Sequence, residues 1–142
     1  MVKVIDSNVE LRVPVAAEYV SVVRLLVSGL GTRLGLVVDE LEKLKLLVGE
    51  AFLTIVAQCE QEPGLMKLTW VETGSRIQVS LSDPSGKHKS VTDSGNLALL
   101  KTIGGEFSSR VVDGIDQLDI GFDIQYKEDR PFLFHEREDG RA

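Results

Sequence analysis

The chain has 142 residues, 43% of them hydrophobic and 27% charged, and 22 acidic against 16 basic side chains leave a net charge of −6. That length suits one domain with its own core. The acidic balance disfavours nucleic-acid binding, which needs clustered positive charge against phosphate. A single cysteine excludes an internal disulfide framework and a multi-cysteine zinc site. The apolar runs are short for a membrane span, and no basic-then-apolar leader follows Met1, so a soluble cytoplasmic domain is expected.

Val9, Leu11 and Val13 alternate with Glu10 and Arg12, which predicts a half-buried strand ended by Pro14. Tyr19, Val22, Val23, Leu26 and Leu30 then follow helical spacing, with Gly35 expected to close the helix. A second helix is expected from Asp39 as N-cap, with Glu40 and Glu42 near its positive end and Pro63-Gly64 beyond its close. Its apolar positions, Leu41 through Cys59, cover one face, and Leu46, Leu53 and Ala57 make the other side apolar as well, so it should be central and covered.

Met66, Leu68 and Trp70 lead to a hairpin turn at Glu72–Ser75, after which Ile77, Val79 and Leu81 alternate with polar residues. A polar connector follows, then a short helix at 96–103, a turn at Asp113-Gly114, and a strand from Leu118 to Tyr126 whose polar face is acidic and should see solvent. The pattern predicts a two-layer α/β sandwich, a mostly antiparallel sheet with helices on one face. Residues 1–126 form the expected domain and 127–142 a charged tail.

Chemistry points first to the second helix. Glu50, Thr54 and Gln58 recur at i, i+4 and i+8, a polar stripe on an otherwise apolar helix. A carboxylate out of water is costly unless it is paired or faces a wet cleft. The stripe therefore reads as a cleft wall, or as a Glu satisfied by a neighbouring Arg. Asp83-Pro84-Ser85-Gly86 suits a type I turn, or an Asp placed at a strand end to accept from a ligand's amino group. Ser94-Gly95-Asn96 reads as a helix cap or an anion-facing turn. Cys59 reads as core, and His88 and His135 lack metal-ligand spacing.

Leu11-Arg12-Val13-Pro14, Glu18-Tyr19-Val20, Arg24-Leu25, Ser28-Gly29, Asp39 to Lys45 and Glu50-Ala51 together resemble the bacterial anti-sigma-factor serine-protein kinases, of the histidine-kinase-like ATPase (GHKL) superfamily with the Bergerat fold. The resemblance runs from about Val9 to Tyr126. It implies that Glu50 holds the place of a catalytic base, that Thr54 stands where the family's Asn holds Mg²⁺ on ATP, and that Asp83 stands where an Asp reads adenine. Ser85 and Lys87 replace two motif glycines; Gly86 and Gly95 are the glycines left to approach the nucleotide. Mg²⁺ demands near-ideal octahedral geometry, so the Thr54 exchange should weaken its capture.

The resemblance thus implies a regulatory protein, a homodimer, that binds a sigma factor and a STAS-type antagonist, with ATP binding weak or lost and no direct nucleic-acid or membrane contact. The alternative is an active serine/threonine-protein kinase that uses Mg-ATP on such an antagonist. An unrelated sandwich, with Glu50 only in an ion pair, is a third reading.

Overall fold

The computed structural model describes residues 7–58, 64–83 and 106–124. In chain order these form strand β1 (Ser7–Pro14), a 3-10 turn (Ala17–Tyr19), and helices α1 (Val20–Arg33) and α2 (Val38–Gln58). Two hairpins follow, β2 (Leu65–Thr73) with β3 (Arg76–Ser82), and β4 (Glu106–Val112) with β5 (Ile115–Asp123). The sheet runs in the order β1-β2-β3-β5-β4, and every pairing among the described strands is antiparallel. α2 rests on β3 and β5, and α1 packs beside α2. The molecule is therefore a two-layer α/β sandwich with both helices in one layer. The expected helix at 96–103, Cys59, Tyr126 and the 127–142 tail lie outside the described residues.

Alternation along the strands builds the core. Met66, Leu68 and Trp70 of β2, Ile77, Val79 and Leu81 of β3, and Leu118 and Ile120 of β5 all point inward and are buried. Leu44, Leu47, Val48, Ala51, Phe52 and Ile55 of α2 close over them. The turns match their sequences. Asp113 and Gly114 both take positive φ, at 53° and 79°, as the type I′ turn between β4 and β5 requires.

Several elements depart from the expected positions. α2 begins at Val38, which places Asp39 inside the first turn rather than at the N-cap. Glu40 reaches back instead, its Oε1 accepting the Val37 N–H at 3.1 Å, which is half of a capping box. α2 is not covered all round either: Leu46 is 43% exposed and Ala57 is exposed, because no third layer lies above the helices among the described residues. On α1 the buried stripe is Val23, Val27 and Gly31, while Val22 and Leu25 face water. α1 ends in a Schellman closure, with Leu36 N–H donating to the Gly31 carbonyl and Gly35 N–H to that of Thr32. Gly35 has φ +78° there, which an L side chain resists.

The β2–β3 connection is shorter than expected. Thr73 pairs with Arg76, so only Gly74 and Ser75 form the loop and Glu72 belongs to the strand. Glu72 consequently points inward, with 4% exposure. The Trp70 indole N–H donates to its Oε2 at 2.8 Å, and the Arg33 guanidinium in the last turn of α1 donates to the same oxygen. A buried carboxylate thus ties a helix end to the sheet.

The acidic face of β5 is not simply solvated. Asp119 is 7% exposed and accepts from Ser80 Oγ at 2.7 Å, Gln117 Nε2 at 2.8 Å and Arg110 Nε at 2.6 Å. Beside it Arg76 crosses Gly121 to pair with Glu106 of β4 and with Asp123. The hydrogen bonds to Glu106 and then Asp123 raise the Arg76 pKa further above its ordinary value. Arginines on β3 and β4 thus neutralise the acids between them and hold the edge strand.

Replacing Glu72 with Ala should strand the Trp70 N–H in the core and cost about 1–3 kcal/mol. Glu72→Gln keeps an acceptor and should cost less. Urea unfolding followed by fluorescence of Trp70, the chain's one tryptophan, measures both.

Candidate functional site

α1 and α2 run antiparallel, with Gly31 beside Leu41 and Arg24 beside Gly49. Glu50 lies midway along α2, its side chain 25% exposed, and Arg24 Nη2 stands 3.9 Å from its Oε2. Gly49 is why Arg24 fits there. A Cβ at that position would lie 2.6 Å from Arg24 Nε and 3.2 Å from its Cζ, so the guanidinium lies directly over the α2 backbone.

Thr54, one turn further on, is 1% exposed. Its Oγ1 donates to the Glu50 carbonyl at 2.8 Å, a bond back onto its own helix. The expected polar stripe is therefore a half-buried carboxylate followed by an inward-turned hydroxyl. Gln58 ends α2, and its side chain lies outside the described residues.

Asp83 follows β3 directly and is 2% exposed; its Oδ1 lies beside Gly64 at the start of β2. Five residues separate Gln58 from Gly64, a reach of about 20 Å at most, so Asp83 and the C-terminal half of α2 occupy one end of the sandwich. Glu72 and Arg33 occupy the other end. Gly86 and Gly95 lie outside the described residues.

The described part of this site fits a divalent cation poorly. Thr54 is closed off from solvent and its hydroxyl is engaged by a backbone carbonyl, so it does not present an oxygen to a metal. Among the described residues no group of three or more His, Cys, Asp or Glu side chains could hold one. A hollow of about 390 Å³ opens elsewhere, on the outer sheet face between Arg76, Gln78, Glu106, Ser108 and Asp119. That face is opposite the one on which α2 lies, so the hollow is no part of this site.

Reading the sequence alone missed the roles of Arg24, Gly49 and Glu72. Gly49 carried the one usable signal: a glycine inside a long helix is costly unless something approaches closely.

The architecture is that of an α/β sandwich with a helix hairpin over an antiparallel sheet, with Glu50 on its second helix and Asp83 at a strand end, the class to which the anti-sigma-factor serine-protein kinases are expected to belong. Comparison with known proteins supplies the relatives. The chain is 37% identical over 77 residues to a serine-protein kinase RsbW of Halalkalibacterium halodurans, a match that covers 54% of this chain and 48% of that protein. It is 35% identical over 81 residues to a serine-protein kinase RsbW of Staphylococcus aureus, covering 55% of this chain and 51% of that protein. Over the matched segment the chain is thus similar to RsbW serine-protein kinases. It spans about half the length of the curated relatives it matches. No protein-family model matches the chain. No helix among the described residues is long and apolar enough to cross a membrane.

If the Thr54 hydroxyl serves only its own helix, Thr54→Val should change stability by less than about 1 kcal/mol, because the shape is kept and the carbonyl retains its helical N–H. It should also leave the response to Mg²⁺ unaltered. Thermal melts of both proteins with and without millimolar Mg²⁺ check this.

Proposed function

We propose that the chain is a partner-switching regulatory protein, which binds a sigma factor, a STAS-type antagonist, or each in turn, and in which ATP binding is weak or lost. The similarity to RsbW serine-protein kinases supports the regulatory role. The nucleotide part rests on Thr54, whose hydroxyl is buried and back-bonded where the resemblance implies an Asn that holds Mg²⁺. Phosphoryl transfer depends on positioning and on metal electrostatics, so Glu50 without a metal partner would not sustain it. Protein surfaces, by contrast, can act without nucleotide.

The second reading is an active serine kinase with Glu50 as base and Asp83 as the adenine acceptor. It draws on the names of the relatives and on the placement of Asp83 at the same end of the sandwich as the C-terminal half of α2. The two separate in a thermal shift. Nucleotide at about 100 times its dissociation constant adds roughly 2.7 kcal/mol, a rise of several degrees for a domain of this size. The regulatory reading expects no shift with Mg-ATP or Mg-ADP, together with measurable binding to a sigma factor or an antagonist by calorimetry. A clear shift with phosphate transfer to the antagonist would favour the kinase.

Homodimerisation belongs to the same reading, and β1 suits it. On one edge of the described sheet, Glu10 and Arg12 flank Leu11 and pair with each other at 2.8 Å. Two such strands set antiparallel about Leu11 would oppose each Glu10 to the Arg12 of the other copy and keep Val9 and Val13 on one apolar face. Arg12→Glu should then weaken the dimer at least several-fold, and Glu10→Arg with Arg12→Glu should restore it; sedimentation equilibrium reads both.

A further inference from the structure

We propose that Glu50 is the acidic half of a brace between α1 and α2, with Arg24 as the basic half seated over Gly49, and that this role has replaced any role as a base. The inference rests on the reading that ATP chemistry is weak or lost, and it says what the carboxylate does instead. Three observations meet at one place. The charges stand 3.9 Å apart on neighbouring helices, with side chains 38% and 25% exposed. Gly49 is buried, and a Cβ there would lie 2.6 Å from Arg24 Nε. Thr54, the next polar residue on the same side of α2, is turned inward onto the carbonyl of Glu50 itself.

Each feature is costly or unnecessary for a plain helix pair. A glycine in a helix interior weakens it relative to alanine, so its presence at 49 calls for a close neighbour, and Arg24 is that neighbour. An arginine set against a neighbouring helix packs its stem as well as its charge. A working base would need its carboxylate free to accept from a reacting hydroxyl or water; here Oε2 already stands 3.9 Å from a guanidinium of the other helix.

The test is a double-mutant cycle in the intact chain, read by thermal melting without nucleotide. Glu50→Gln and Arg24→Gln should each lower the melting temperature by about 1–4 °C, since half-exposed pairs are modest in strength. The double variant should melt no lower than the worse single variant. Gly49→Ala displaces Arg24 while keeping both charges, so it should raise the melting temperature less in the parent than in the Arg24→Gln background, where no guanidinium meets the new methyl. The losses from Glu50→Gln should shrink in about 1 M salt, where charge pairing is screened.

A Glu50→Gln protein that melts at or above the parent would overturn the brace, because carboxylates kept for chemistry are commonly held at a cost to stability. Strictly additive losses would overturn it too. Melts with Mg-ATP run alongside keep the two ideas apart: a nucleotide shift in the parent sinks the loss of ATP binding whatever the cycle gives. No shift together with additive losses sinks the brace alone.

Discussion

The inward face of α2, from Leu44 to Ile55, has to leave water, and among the described strands β3 and β5 receive most of it. Side chains of this kind contribute about 1.5–3 kcal/mol each when buried, well above the worth of any single surface ion pair here. The remaining arrangements follow from that seating. α1 can reach the core only by lying beside α2, so it contributes a narrow buried stripe and leaves Val22 and Leu25 in water. Its last turn is then held at one end of the sheet by Arg33 on Glu72, and its middle lies against α2 where Arg24 crosses Gly49. The polar contacts set how the helices sit on a core that apolar burial already defines.

Periodic patterns made much of this fold readable from the chain. Period-two alternation marked β3 and β5, helical spacing marked α2, and Asp113-Gly114 marked its own turn. What escaped were features whose partners lie far away in sequence. Glu72 sits next to a turn and reads as part of it, because Arg33, which makes its burial tolerable, is 39 residues upstream. The acids of β5 read as a wet face for the same reason, since Arg76 and Arg110 come from β3 and β4. The position of Glu50 on α2 was legible from its spacing, and the alternative of a satisfying Arg was in view, but no local pattern named Arg24. α2 starts two residues earlier than an Asp39 cap implies, because Glu40, not Asp39, satisfies the backbone there.

Within the proposed reading, the likeness to RsbW kinases and the state of Thr54 fit together without strain. A sandwich of this kind asks little of its metal position for folding. At position 54 a threonine satisfies its own helix and fills the core, so the site can change while α2 continues to seat on the sheet. The regulatory role then rests on surfaces of α1, α2 and the sheet edges, which the core supports without reference to a nucleotide.

The strand order also bears on how the chain acquires its structure. The α1–α2 pair, the β2–β3 hairpin and the β4–β5 hairpin each join neighbours in sequence, whereas β1 pairs with β2 across the two helices that lie between them in the chain, with Ser7 opposite Glu72. Contacts of such long separation carry the larger loop-closure cost and form late. β1 is bonded on one side alone among the described strands. Its amide protons should therefore exchange with solvent through an opening that leaves the two hairpins and the α1–α2 pair intact, and among the described strands the earliest in sequence is among the last to find its place.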